Sequence, residues 1–324
     1  MAGTIDSYGR YITYARISVT DRCNLRCTYC MPPEGVKLSA HEDILRYEEI
    51  LQLCNVFKEL GVKKIRFTGG EPLVRKGMGL FLMQTRQLFP DMEMALTTNG
   101  LLLTKYLEQL IKSRINSLNI SLDTLDSQKF ISLTKVDGLN LVLDGIRESL
   151  RQGIEIIKLN TVLIKGFNDN EVLDLINFSK KEGVLLRFIE LMPLNDKLWT
   201  KQGFISAKEI FSILKKHGEW ERIEGISLFD GPAKYYKNTD TGQKVGIIAA
   251  VSDHFCNSCN RLRVTSAGYL KKCLFSDQDL PLRELIANND RDALKIAILN
   301  HMESKPKCWK DIKKGDSNMS AIGG

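Results

Sequence analysis

Residues 21–33 read D-R-C-N-L-R-C-T-Y-C-M-P-P, from Asp21 to Pro33, directly after an apolar segment with the character of a strand. Cys23, Cys27 and Cys30 stand in a C-x3-C-x2-C spacing. Thiols so close in sequence converge on one metal site only if the backbone wraps around it. A four-iron cubane has four corners, so three thiolates leave one iron free to bind something other than protein. Zinc sites usually come as two pairs of ligands, and no neighbouring Cys or His completes a tetrahedron here. The spacing points to an open-cornered iron–sulfur cluster, with incidental loop cysteines as the plainer alternative.

Outward from this loop, strand and helix signals alternate. I-T-Y-A-R-I-S-V (12–19) precedes it, and a helix over 47–60 follows, ending at Gly61. K-K-I-R-F-T-G-G-E-P reads as a second strand running into a glycine turn, with a helix near 77–89 behind it. M-E-M-A-L-T-T is the third strand, closing at Asn99-Gly100. The next helix carries Leu103, Tyr106, Leu107, Leu110 and Ile111 on one face. Strands over 117–123, 154–162 and 184–191 alternate with helices over 139–152 and 170–182. Six such steps predict an α/β fold, an incomplete TIM-like barrel with a parallel sheet and right-handed crossovers. Function then gathers at the C-terminal ends of the strands. The cysteine loop, Gly69-Gly70-Glu71-Pro72, Thr97-Thr98-Asn99, Ser121 and Asp123 all fall there.

After Met192-Pro193 the pattern changes, which divides the chain into residues 1–195 and 196–324. A helix over 206–217 leads into W-E-R-I, A-K-Y-Y-K-N and K-V-G-I-I-A-A-V, a smaller and more antiparallel α+β region. This region holds a second group, Cys256, Cys259 and Cys273, spaced C-x2-C-x13-C. Locally it reads either as a zinc knuckle with His254 as fourth ligand or as a second three-thiolate cluster. Of the remaining cysteines, Cys54 shares a helical face with Tyr47, Ile50, Leu51 and Phe57 and belongs to the core. Cys308 is either packed or exposed.

A chain of 324 residues with 43% hydrophobic and 26% charged residues has the composition of an ordinary globular protein. Its first residues lack the apolar core of a signal peptide, and no stretch approaches the roughly 18 apolar residues that span a bilayer. The expectation is a cytoplasmic protein, without membrane attachment, whose thiols stay reduced. The net charge of +7 is spread along the chain rather than concentrated. That argues against nucleic-acid binding and suits a small anionic substrate held by a few arginines.

The cysteine loop with Tyr29 inside it, and G-G-E-P after the second strand, resemble the radical S-adenosylmethionine superfamily. Together with L-T-T-N-G, C-N-S-C-N-R-L-R and a terminal Gly323-Gly324, they resemble its GTP 3′,8-cyclase (MoaA) family, lyases that begin molybdenum cofactor biosynthesis. The resemblance implies two [4Fe-4S] clusters, one on Cys23, Cys27 and Cys30 and one on Cys256, Cys259 and Cys273. It implies S-adenosylmethionine contacts at Tyr29, Gly70, Ser121 and Met192. GTP contacts are implied at Arg16, Arg66, Thr97, Lys158, Arg261, Leu262 and Arg263, with Thr98 beside Thr97 as an open ambiguity. Arg16, Arg261, Arg263, Gly323 and Gly324 are implied to serve catalysis, the two glycines as a tail reaching the active site. The implied reaction is abstraction of the ribose 3′ hydrogen of GTP by a 5′-deoxyadenosyl radical and attack of C3′ on guanine C8. It gives (8S)-3′,8-cyclo-7,8-dihydroguanosine 5′-triphosphate. A homodimer, a reducing electron donor and a downstream cyclic pyranopterin monophosphate synthase are also implied. The alternatives are a peptide-modifying radical enzyme with auxiliary clusters, which carries more C-terminal cysteines, and a zinc-stabilised nucleic-acid module, which needs a clustered basic face.

Overall fold

The computed structural model describes residues 4–31, 35–193, 201–224, 231–276, 279–312 and 319–323. Six parallel strands form its centre: β1 (Tyr14–Ser18), β2 (Lys64–Thr68), β3 (Glu93–Thr98), β4 (Ser117–Ser121), β5 (Ile157–Leu163) and β6 (Leu185–Glu190). Each is parallel to the next. The connecting helices α1 (Tyr47–Glu59), α2 (Met78–Leu88) and α3 (Leu103–Lys112) follow the apolar stripes read from the sequence. Between β4 and β5 stand two helices rather than one. The expected α5 (Leu139–Arg151) is preceded by α4 (Ser127–Thr134), whose start is capped by the Asp126 carboxylate accepting from the Lys129 amide at 2.9 Å. Helix α6 (Val172–Glu182) completes the series.

The region after residue 200 adds α7 (Ala207–Lys215) and β7 (Trp220–Ile223), β8 (Lys234–Asn238) and β9 (Lys244–Ile248). It continues with β10 (Arg261–Val264), β11 (Tyr269–Lys271), β12 (Leu280–Pro281), α8 (Arg283–Ala287), α9 (Arg291–Glu303) and the short α10 (Met319–Ile322). The antiparallel expectation holds only at the margins. β9 lies parallel to β6, and β10 lies parallel to β1, so the C-terminal region lengthens the central sheet on both edges. The continuous order is β12-β11-β10-β1-β2-β3-β4-β5-β6-β9-β8-β7, with eight consecutive parallel strands from β10 to β9. A strand such as K-V-G-I-I carries the same apolar pattern whichever way its neighbour runs, which is why its direction was not legible.

Apolar residues of the strands and the inward helix faces form one large core that includes Cys54, Phe57, Phe67, Phe81 and Phe188. A groove of about 840 Å³ at the N-terminal ends of the strands, lined by Lys63, Arg86, Met92, Arg114 and Gly153, contains no thiol. Cys23, Cys27 and Cys30 follow the C-terminal end of β1, whereas Cys256 and Cys259 precede β10, whose first residue Arg261 pairs with Tyr14 at the start of β1. No helix among the described residues is long and apolar enough to cross a membrane.

Candidate active site

The loop after β1 is held by its neighbours rather than by its own turns alone. The amides of Arg26 and Thr28 donate to the carbonyls of Thr134 and Leu133 at 2.9 and 3.0 Å, so the end of α4 carries the loop. The amides of Cys30 and Met31 both donate to the Cys27 carbonyl at 2.9 Å, turning the chain so that Cys23, Cys27 and Cys30 line one cavity. Tyr29, Gly70, Thr97, Ser121, Asp123 and Met192 line it too. The Tyr29 hydroxyl donates to Asp123 at 2.7 Å, and Asp123 also accepts from the Val162 amide, which ties the loop to β5.

Glu71 of G-G-E-P is fully buried and accepts from the amides of Leu73 and Asn99 at 3.0 and 2.6 Å and from the Thr98 hydroxyl at 2.8 Å. Asn99 in turn donates to the Asn24 side chain at 2.8 Å, beside Cys23. Burial pushes the Glu71 carboxyl up to about 7 despite those donors. The glycines ahead of it have a structural reason to be glycine: a Cβ on Gly70 would lie 2.4 Å from the Arg22 carbonyl oxygen. The chain entering the cysteine loop therefore rests directly on this turn.

Burial raises the Cys27 thiol well above its ordinary range and Cys30 to about 12, with Asp123 and the neighbouring thiols adding to the effect. Three thiolates here are mutually unfavourable unless a polycationic core replaces their protons, which is what an iron–sulfur cluster does. A tetrahedral zinc site would draw its sulfurs to about 3.8 Å, given Zn–S bonds near 2.3 Å. Among the described residues, the group of metal-ligating atoms gathered within 4.8 Å is His254, Cys256 and Cys308, and neither three-cysteine set is drawn that close.

Cys256, Cys259 and Cys273 line a second cavity, which shares Asn160, Ile189, Met192 and Met319 with the first. The two cavities adjoin. Burial raises the Cys259 thiol, but Arg261 and Lys305 outweigh it and bring the group down to about 6. The Arg261 guanidinium stands 3.8 Å from its sulfur, so this thiolate is already stabilised for a metal. Cys256 moves the other way, to about 11, through burial and the nearby Cys308.

In-register pairing of β10, β1 and β2 builds the wall of the second cavity. Arg263 stands opposite Arg16, and Arg16 opposite Arg66, making a row of guanidinium groups across the sheet. Arg261, Tyr14 and Lys64 form the row beneath it. Alternation along β10 points Arg261 and Arg263 to one face, as expected, and both line the cavity. Burial and Arg263 pull the Arg16 group well below its ordinary range, and burial with Arg261 takes Arg263 down to about 10. The Nε atoms of Arg16 and Arg66 are buried without a partner. Burial would raise the Tyr14 phenol, but Arg66, Arg16, Lys64 and Arg261 together bring it down to about 8. Lys64 is ion-paired to Glu93, but Arg16, Arg66, Arg261 and Arg263 have no carboxylate partner among the described residues, and such a guanidinium cluster calls for a polyanion.

The C-terminal tail enters this wall. Arg263 Nη1 donates to the Gly323 carbonyl at 3.1 Å, and the Ser266 amide donates to Ala321. Gly323 has φ +79°, and a Cβ there would lie 2.2 Å from Thr68 and 2.8 Å from the Gly69 amide. Gly324 lies outside the described residues.

Other expected contacts fall less uniformly. Thr97 and Thr98 differ: Thr98 is committed to Glu71, whereas the Thr97 hydroxyl is buried without a partner at the first cavity. Lys158 is buried on the face of β5 that carries Asn160 but one layer deeper, and it lines neither cavity. Leu262 points away from its arginine neighbours into the core, so only its backbone faces towards a ligand. Arg187 was not anticipated: it is buried in the second cavity, donating to Asn160 at 3.0 Å and to Asn119. Its position in L-L-R-F-I-E, a charge inside an otherwise buried strand, was the available signal. Lys305, whose ammonium reaches the carbonyls of Arg261 and Lys272, gave no such signal.

Comparison with known proteins bears on the family. The Radical SAM superfamily model matches residues 17–179, and the Molybdenum Cofactor Synthesis C model matches residues 184–311. The chain is 44% identical to a GTP 3′,8-cyclase of Peptoclostridium acidaminophilum, over 94% of this chain and 92% of that one. It is 42% identical to a GTP 3′,8-cyclase of Clostridium botulinum, over 99% of this chain and all of that one. It is also 40% identical to Molybdenum cofactor biosynthesis protein 1 of Dictyostelium discoideum, covering 93% of this chain and 48% of that longer one. SuiB of Streptococcus suis, solved with S-adenosylmethionine, shares the fold with a TM-score of 0.66 at 14% identity, over 92% of this chain and 69% of that one. Two adjoining cavities that each hold three thiols, both family models on one chain and full-length relatives of this similarity lead to one conclusion: the chain belongs to the GTP 3′,8-cyclase family of radical S-adenosylmethionine enzymes.

Proposed function

We infer that the protein is a GTP 3′,8-cyclase acting at the start of molybdenum cofactor biosynthesis. The observation that carries this reading is the pair of adjoining cavities, each with three thiols, and the guanidinium row of Arg263, Arg16 and Arg66 in the wall of the second. Cys23, Cys27 and Cys30 hold the first cluster, and Tyr29, Gly70, Ser121 and Met192 surround its S-adenosylmethionine; Cys256, Cys259 and Cys273 hold the second. When bound, the first cluster and S-adenosylmethionine supply hydrogen-atom abstraction at the ribose C3′ of GTP, after which C3′ bonds to guanine C8.

The chain's own residues do the positioning. Arg16, Arg66, Arg261 and Arg263 present forked donors to the triphosphate in a buried setting, where charge-assisted bonds are strong. A bound polyanion offsets their repulsion for one another, so part of the binding free energy is electrostatic relief. Met192, Asn160 and Met319 lie where the cavities meet and limit the space between the two reacting ends. Gly323 on Arg263 closes the site beside Gly69 and excludes water from it. Holding C3′ and C8 of one nucleotide in a fixed relation supplies a large share of the rate. Thr97 contributes a free hydroxyl and Lys158 a deeper charge.

The product passes to a cyclic pyranopterin monophosphate synthase, and the reaction draws an electron from a soluble reductant in the cytoplasm. The working unit is a homodimer, which light scattering of the purified chain tests. Activity is tested anaerobically with iron- and sulfide-reconstituted protein, S-adenosylmethionine, GTP and dithionite. The expected outcome is 5′-deoxyadenosine together with a cyclised guanosine triphosphate. Deoxyadenosine formed equally with and without GTP overturns the substrate assignment.

A further inference from the structure

Cys308 lies far in sequence from both cysteine groups, yet its sulfur stands 3.5 Å from His254 Nε2 and within 4.8 Å of the Cys256 sulfur. The approach is built rather than incidental. Arg10, buried and ion-paired to Asp6 at 2.6 Å, donates to the Cys256 carbonyl at 2.8 Å, to Lys307 at 3.1 Å and to Pro306 at 2.8 Å. One guanidinium thus fastens the segment before Cys308 onto the second cysteine loop. Asp311 accepts from the Cys308 amide at 3.1 Å, and the Cys308 sulfur accepts from the Lys310 amide at 3.5 Å. The next residue, Trp309, is stacked on Phe275 with ring centroids 4.7 Å apart.

We propose that His254, Cys256 and Cys308 form a mononuclear site for a thiophilic divalent cation of the zinc type, overlapping the second three-cysteine set at Cys256. Zn–S bonds near 2.3 Å and Zn–N bonds near 2.0 Å place sulfur and nitrogen about 3.5 Å apart across a tetrahedral edge. That is the Cys308–His254 separation found here. Two thiols lose their protons on binding, His254 enters neutral, and a water completes four-coordination, so the occupied site carries no net charge. Cys256 belongs to both this site and the second cluster set, so the two occupants exclude each other. This last point rests on the reading of Cys256 as a cluster ligand. A chain that has captured zinc must release it before the second cluster is assembled.

The test uses the full-length chain freed of iron by chelation under anaerobic, reducing conditions and titrated with cobalt(II) as a visible zinc substitute. Thiolate-to-cobalt charge transfer and intense tetrahedral d–d bands report the site. The parent chain is expected to bind one cobalt more than Cys308→Ser or His254→Ala, and Cys273→Ser is expected to bind as the parent does. Far-UV circular dichroism verifies that each variant is folded; the serine is nearly isosteric. Equal cobalt binding by the parent and Cys308→Ser overturns the site, and so does a loss in Cys273→Ser as complete as that in Cys308→Ser. A second arm adds zinc before reconstitution with iron and sulfide. The parent is expected to take up about half the iron, one cluster of two, and Cys308→Ser to take up the full amount in spite of zinc. Full iron uptake by the zinc-loaded parent, with the cobalt result intact, overturns the role of Cys256 in the cluster and leaves the mononuclear site standing.

Discussion

Thr97 and Thr98 are adjacent on β3 and face opposite ways, and their hydroxyls have different duties. Thr98→Val removes a bond to buried Glu71 and is expected to cost about 1 kcal/mol in thermal or urea unfolding, with GTP affinity unchanged. Thr97→Val leaves stability unchanged, because its hydroxyl has no partner to lose. It is expected to weaken GTP binding about fivefold in calorimetry. Glu71 gives a pH signature. Its folded value is near 7 and an exposed glutamate titrates near 4.3, so the folded protein binds the extra proton between these values. Stability contributed by this group is fully present below about 4.3 and falls as pH rises to about 7, by up to about 1.4 kcal/mol per pH unit. The Glu71→Gln variant is expected to lack that descent in denaturant midpoints measured across the window. Glu71 could be read in the sequence as part of G-G-E-P, but its bonds to Thr98 and Asn99 could not, because register between β2 and β3 brings them together.

Helix α4 shows how a small element acquires weight through what hangs from it. S-Q-K-F-I-S-L-T is short and its apolar positions are few, so no periodic signal set it apart from the loop after β4. Yet the carbonyls at its end receive the amides of Arg26 and Thr28, and its cap is the Asp126 carboxylate. Asp126→Ala is expected to destabilise the helix by about 1 kcal/mol. It is also expected to quicken loss of iron from the first cluster under a chelator, while the second cluster's iron leaves at the parent rate. Equal rates from both clusters would sever the link between α4 and the first loop. The main strands and helices were legible because alternation and turn glycines mark them. The parallel seating of β9 on β6 was not, and neither was Glu190. This fully buried residue accepts from the amides of Ala207, Val251 and Ser252, at 2.6, 2.7 and 2.9 Å, across that junction.

At the scale of the molecule, the tail and the edge strands make one site from distant parts of the chain. Gly323→Ala places a methyl against Thr68 and the Gly69 amide at a left-handed φ. The tail is expected to leave its seat, so that limited proteolysis removes it faster. Iron content should stay at the parent level while cyclised product falls by about tenfold or more. The resemblance implied a role for the tail, whereas its neighbours Thr68 and Arg263 became visible only with the three strands in register.

The pairing of β10 with β1 also bears on how the chain is made. Thr13, at the start of the first barrel strand, bonds to Asn260 across a separation of 247 positions. At about 5 to 20 residues per second, that edge of β1 waits some 12 to 50 s on the ribosome before its partner exists. During that interval the first cysteine loop, Arg16 and Arg66 have already emerged, while Arg261, Arg263 and the second thiol set have not. Nascent chains are therefore expected to depend on chaperones to shield an open strand edge. Synthesis order also favours loading the first cluster before the second pocket exists.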